Sequence, residues 1–146
     1  MACECHHTLE SGTPITVTTG SHALNNYSNR ADQTGKISYP KKLNEWFDTT
    51  AFSFPAMTAG VFNAPGTLVR NSMFGPGYRD LDASIGKDFP FVEGVAAHFQ
   101  ADAFNLTNTP AFTNPDTTMT DGNFGAVTSV RAYANRQLQL SLRITF

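Results

Sequence analysis

A chain of 146 residues is the size of one domain or of a piece of one. Its formal net charge is −2 and charged residues make up 15 %, so no basic surface calls for nucleic acid. No apolar run approaches the roughly 20 residues of a membrane helix, although strands that cross a membrane by alternation leave no such run either.

Twelve phenylalanines, eleven glycines and eight prolines favour a β protein rich in turns. The chain opens on Met1-Ala2-Cys3-Glu4-Cys5-His6-His7, which has neither a basic segment nor an apolar core, so no signal peptide is expected. Both cysteines lie here, yet their spacing with His6 and His7 does not match a structural zinc site, and no metal or other cofactor is expected. Residues 1–10 are expected to be a disordered leader, with one folded segment over 11–146.

Ser11-Gly12-Thr13-Pro14 is a turn signal, and Ile15-Thr16-Val17-Thr18-Thr19 is a short β-branched strand. From Ser21 to Gly77 no period is sustained. Turn residues such as Asn25-Asn26, Pro40, Pro55, Gly60 and Gly66 break the pattern, apart from one helical turn expected at Lys42–Phe47. Loops of this length tend to be functional or disordered. Tyr39, Trp46, Phe47, Phe52 and Phe54 cluster in it. Tyr39, Trp46 and Phe47 are candidate ligand contacts; alternatively the loop packs on its own aromatics.

Tyr78 to Phe89 alternates, with Leu81, Ala83, Ile85 and Phe89 on one face and Asp80, Asp82, Ser84, Gly86 and Asp88 on the other. Lys87 interrupts the apolar face, where a long side chain can reach water. Asp80 and Asp82 share a face and are read as solvated carboxylates, since nothing implies their burial. Pro90–Gly94 is a short connection. Val95–Asn105 is the next strand, with His98, Gln100 and Asp102 on its polar face. His98 and Asp102 could form a catalytic pair only beside a nucleophile. No Gly-x-Ser-x-Gly or reactive cysteine supplies one, so the chain is not read as an enzyme.

Ala111–Asn135 is a second long polar connection. Its Asp121-Gly122 pair lacks the remaining ligands of a calcium loop. In the closing run, Leu138, Leu140, Leu142, Ile144 and Phe146 are apolar, and every odd position from Gln137 to Thr145 is polar. Such a strand suits the half-buried sheet of a soluble protein, or a membrane barrel whose apolar residues meet lipid and whose polar residues meet the lumen. Its length fits the 9–11 or so tilted residues that span a bilayer.

Loop lengths decide between the two. If Phe146 lies at the periplasmic face, the short connection falls on that side and both long ones fall outside, as outer-membrane barrels require. Phe89, Phe91 and Phe146 then gather at one level, like an aromatic girdle.

Ser11–Val17, Gly75–Ser84, the Phe104-Asn105-Leu106-Thr107-Asn108 segment and the closing Leu140–Phe146 resemble the C-terminal end of TonB-dependent receptor barrels. The likeness is greatest to the Oar-like group, which carries an N-terminal carboxypeptidase-regulatory-like domain. It covers roughly residues 8–146. The resemblance implies an outer-membrane location and uptake of a siderophore or an oligosaccharide. It implies as partners the membrane lipid, the barrel-assembly machinery and the TonB system acting through a plug. It also implies that Phe146, with Ile144 and Leu142, forms the barrel-assembly signal. The family has a signal peptide, a plug, a TonB box and about 22 strands. This chain shows none of the first three and about four strands, which implies a fragment that does not transport alone. The expected fold is therefore an all-β antiparallel meander of about four strands with two long loops, an open part of a transmembrane barrel. The rival is a soluble carbohydrate-binding β-sandwich that stacks a sugar on Tyr39 and Trp46.

Overall fold

The computed structural model describes residues 1–24 and 27–146, and the side chains of these except 21–24 and 27–28. The Asn25-Asn26 turn signal lies outside the described residues. The strands, in chain order, are β1 (Ala2–Glu10), β2 (Pro14–Ile15), β3 (Thr18–Leu24), β4 (Tyr27–Arg30), β5 (Asp32–Gln33), β6 (Phe52–Ser53), β7 (Met57–Thr58), β8 (Val61–Phe62), β9 (Met73–Phe74), β10 (Tyr78–Val92), β11 (Val95–Phe104) and β12 (Gln137–Thr145). They belong to two compact units.

The first unit holds residues 1–11, 77–111 and 130–146. Its core element is a four-stranded sheet in the order β1-β10-β11-β12, and every pair in it is antiparallel. This is the expected open meander, and the barrel is not closed. The alternating side chains of β10, β11 and β12 suit strands with two different environments on their faces. The two-residue turn Glu93–Gly94 joins β10 to β11. Gly94 takes φ 85° there, a left-handed conformation that costs a residue without Cβ least. The connection is shorter than Pro90–Gly94 because β10 runs on to Val92, with a register shift between Pro90 and Val92. A bulge accommodates the proline, which has no N–H to give the ladder.

Two expectations about the start of the sheet are corrected. Residues 2–10 are not a disordered leader. They form the edge strand β1, in unbroken register with β10 from Ala2 opposite Gly86 to Glu10 opposite Tyr78. Main-chain hydrogen bonds hold an edge strand whatever its side chains, so the weak apolar content of this segment does not prevent pairing. The run Ile15–Thr19 is not the first strand of the meander. It is split between β2 and β3, and Ile15, Val17 and Thr19 turn inward into the second unit.

The second unit holds residues 12–76 and 112–129. The sequence expectation of long loops understates it. Four two-stranded ribbons pair β2 with β9, β3 with β4, β5 with β6 and β7 with β8. They surround a core of Ile15, Val17, Ala31, Phe47, Ala51, Phe52, Leu68 and Met73. Phe47 is fully buried, and its ring meets Phe52 and Phe124 edge-on at centroid distances of 5.7 and 5.6 Å. Gly66 is buried in the same unit, where a Cβ would collide with the carbonyl oxygens of Arg30 and Ala31. Asn29 brackets this approach. Its Oδ1 accepts from the Gly66 amide at 3.1 Å and its Nδ2 donates to the Ala64 carbonyl at 3.1 Å.

No helical turn forms at Lys42–Phe47. Lys41 adopts φ 56°, outside the helical region, and Lys42 and Glu45 exchange backbone hydrogen bonds of 3.2 and 3.1 Å in a tight turn. A 3-10 turn follows at Thr49–Ala51. The Asp48 carboxylate caps it, accepting from the Thr50 hydroxyl at 2.6 Å and the Thr50 amide at 2.9 Å. These bonds hold the Asp48 carboxyl below the ordinary aspartate range.

The segment 112–129 is stitched to 12–76 through main-chain bonds. Thr18 N–H donates to Thr117 O at 2.9 Å, Met119 N–H to Thr18 O at 2.9 Å, Trp46 N–H to Gly125 O at 2.8 Å and Val127 N–H to Leu43 O at 2.7 Å. The two connections thus form one folded body. Truncating its central ring, Phe47→Ala, is expected to destabilise this unit by about 3–5 kcal/mol. Hydrogen exchange should show the loss across 12–76 and 112–129, with the amides of β10 and β11 unchanged.

Candidate functional site

Directly opposed residues of an antiparallel sheet share a face, so the register assigns every side chain of the four-stranded sheet to one of two surfaces. The first is apolar. Ala83, Ile85 and Phe89 of β10 stand opposite Ala103, Ala101 and Ala97 of β11, which stand opposite Leu138, Leu140 and Ile144 of β12. Phe99 lies between Lys87 and Leu142. Exposure of the four apolar β12 side chains runs from 59 % at Ile144 to 72 % at Leu140. A contiguous apolar face of this kind is out of place in water and in place against lipid.

The opposite surface is polar and internally bonded. Ser84 Oγ donates to Asp102 Oδ1 at 2.6 Å, and Gln100 Nε2 donates to the same carboxylate at 2.8 and 3.0 Å. His98 Nδ1 pairs with Asp88 Oδ1 at 2.6 Å. The His98–Asp102 pair weighed from the sequence does not form, because register sets His98 directly across from Asp88 and Asp102 across from Ser84. Towards the far end, the Arg131 guanidinium meets the Glu10 carboxylate at 3.3 Å and lies over the Tyr78 ring at 5.7 Å. Of these bonds, Ser84–Asp102 and Asp88–His98 tie β10 to β11 across the polar face, as a hydrated wall of a lumen would be organised.

Phe146 follows β12 and is fully exposed; Ile144 and Leu142 precede it on the apolar face. Register brings Phe89 across from Ala97 and Ala97 across from Ile144, so Phe89, Phe91 and Phe146 gather at the end of the sheet that carries the Glu93–Gly94 turn. Of the loop aromatics, Phe47 is corrected from candidate ligand contact to core ring, since no ligand can reach a side chain with no exposed surface. The half-buried Trp46 packs on the same core, and its Nε1–H donates to the Phe74 carbonyl at 3.1 Å. Tyr39 stays at the surface. The loop therefore packs on its own aromatics, with Phe124 from the second connection completing the cluster.

Asn105 has a role that the sequence reading missed. It is buried at φ 48°, and its side chain makes a complete set of bonds. Nδ2 donates to Thr109 O at 2.8 Å and to Ala134 O at 2.7 Å, while Oδ1 accepts from Thr109 N–H at 2.9 Å. Its own amide donates to Asp82 Oδ1 at 2.9 Å, so Asp82 is a cap and not merely a solvated carboxylate. Asn108, at φ 53°, accepts from the Arg136 amide at 3.2 Å. Together they fasten the exit of β11 to the entry of β12. The available signal was the pair of asparagines three apart after a strand, because asparagine tolerates the left-handed region and bonds to nearby backbone.

Asn105→Ala leaves two carbonyls and one amide without this partner and places a Cβ residue in a strained conformation. The expected cost is about 2–4 kcal/mol. Asn105→Gly relieves the strain and keeps only the bonding loss, so it should fall between the wild type and Asn105→Ala. Hydrogen-exchange protection at 105–109 and 134–136 measures the order.

A family model described as an outer membrane beta barrel domain matches residues 5–139, which take in β10, β11, both long connections, most of β1 and the start of β12. No curated protein and no solved structure matches the chain. With an apolar outer face, a bonded polar inner face and this match, the chain belongs to the outer membrane beta barrel domain family.

Proposed function

We propose that this chain is the C-terminal wall of a TonB-dependent outer-membrane receptor of the Oar-like group, one that imports a bulky nutrient of the siderophore or oligosaccharide class. One observation carries the reading: the sorting of the connections. Both long connections leave the end of the sheet where Glu10 opposes Tyr78 and Phe104 opposes Gln137, and the two-residue turn lies at the other end. Outer-membrane barrels keep short turns in the periplasm and long loops outside. A long-loop side that folds around its own core suits a receptor that must meet a ligand before it enters, with Tyr39 as the exposed aromatic candidate for that contact.

Four strands leave two open edges, and a plugged transporter barrel needs about 22 strands. Transport would therefore belong to the parent, and this wall would act within it. Lipid would cover the apolar face. The barrel-assembly machinery would read Phe146, Ile144 and Leu142, and the TonB system would act through the parent's plug. The reading contains no catalytic step. DNA upstream of Met1 tests it: an in-frame continuation encoding further alternating strands and a plug supports the reading, and a promoter immediately before Met1 counts against it.

The assembly role of Phe146 has a separate test in the parent. A single buried Phe side chain is worth only about 1.5–3 kcal/mol, little in a barrel of that size. Phe146→Ser should nevertheless leave the receptor in the periplasm, whereas Thr145→Ser, on the polar face, should display it normally. Protease shaving of intact cells compares the two. Equal display would make Phe146 an ordinary strand end.

A further inference from the structure

The apolar face carries two cations, Arg79 opposite Leu9 and Lys87 opposite Phe99. Neither meets a carboxylate within ion-pair distance among the described residues. A bare ammonium on a lipid-facing wall needs a polar partner or a route to water. Lys87 takes a definite direction. Its Nζ stands 4.9 Å from the centre of the Phe89 ring, two residues nearer the Glu93–Gly94 turn. The side chain thus bends towards the short-turn end, where Phe91 and Phe146 also lie.

On the other side of Lys87 the face is concave. A groove runs between Ile85 and the pair Leu138 and Leu140, over Ala83, Ala101 and Ala103. Its lining is almost wholly apolar. From Lys87 to Ala83 is four residues of β10, about 13 Å at the strand rise of about 3.3 Å per residue. Half of a hydrocarbon core of about 30 Å is about 15 Å. With the strand tilted by about 40°, that stretch covers about 10 Å of depth, so the groove and Lys87 together reach through about two-thirds of one leaflet, with the charge at the headgroup end.

We propose that this groove and Lys87 form a binding site for one anionic phospholipid, its acyl chain lying along the groove and its phosphate on the Lys87 ammonium. The occupant follows from charge complementarity and from the membrane environment of this face. A tail sits in hydrocarbon whether bound or free, so the groove contributes shape and the ammonium contributes selectivity. Phe89 holds the ammonium from the side through its ring face, leaving its outer donors for phosphate oxygens. The site rests on the membrane reading above, and the orientation proposed there assigns it to the periplasmic leaflet.

The test refolds the full chain into phosphatidylcholine vesicles containing one-fifth phosphatidylglycerol, followed by mild solubilisation and native mass spectrometry. The wild type should retain phosphatidylglycerol in preference to phosphatidylcholine. Lys87→Gln should lower the retained phosphatidylglycerol about fivefold, the effect of one basic residue at a lipid surface. Lys87→Arg should restore it, which separates loss of charge from damage to the sheet. Arg79→Gln, at the other end of the face, should leave it unchanged. Ala101→Leu, which fills the groove, should lower retention of both lipids. Equal retention by wild type and Lys87→Gln, or an equal drop in Arg79→Gln, overturns the site while leaving the membrane reading intact.

Discussion

The register of β10 against β11, and of β11 against β12, is the constraint on which the rest depends. Side chains alternate with a period of two, so a slip of one residue would send Leu138, Leu140, Leu142 and Ile144 to the side now held by Gln137, Gln139, Ser141 and Arg143. In hydrocarbon such a slip is prohibitive, because charged and amide groups would face a medium with no hydrogen-bond partners. The cross-strand bonds of the polar face oppose the same error from the other side. Ser84 and Asp102 meet only in the present pairing, as do Asp88 and His98. Two incompatible solvents, lipid and water, thus hold a single alignment from opposite faces.

The same alignment fixes where the chain leaves the sheet. At one end, two residues with a left-handed glycine suffice to turn β10 into β11. At the other, Asn105 and Asn108 use two left-handed positions and their amide groups to fasten the exit and the return. The contrast is physical. A tight turn closes its own backbone bonds, whereas the ends of long connections leave amides and carbonyls that side chains must satisfy.

Much of the sheet was legible in the sequence because its alternation is a local property. Three of the four strands and both of their faces follow from period two alone in 78–89, 95–105 and 137–146. The first strand was not legible. Cys3, Cys5 and His7 share a face that elsewhere carries Leu and Ala, and pairing at an edge is settled by the backbone of β10. The core of the second unit was hidden for another reason. Ile15, Phe47, Leu68 and Met73 are scattered without period, and the Phe124 that packs against them lies in a different connection. Only tertiary contact brings such residues together, and no window along the chain contains them. Trp46 and Phe47 look alike in sequence, yet one indole edge bonds to the Phe74 carbonyl and one ring vanishes into the core, a difference decided by neighbours far away in the chain.

The stitching of 112–129 onto 12–76 bears on the order of events during synthesis. Thr18 waits for Thr117 and Met119, and Trp46 waits for Gly125, across gaps of about one hundred and about eighty residues. The ribbons of the second unit can form early, but their shared core stays incomplete until the segment just before β12 has been made. Contacts this distant in sequence are slow to form, since loop closure costs entropy before any packing is gained. While residues 77–111 are being made the nascent chain therefore carries a half-finished apolar centre, and the ring of Phe124 reaches it only shortly before β12 emerges. Completion of the second unit and arrival of β12 are thus nearly simultaneous, a timing written into chain order alone.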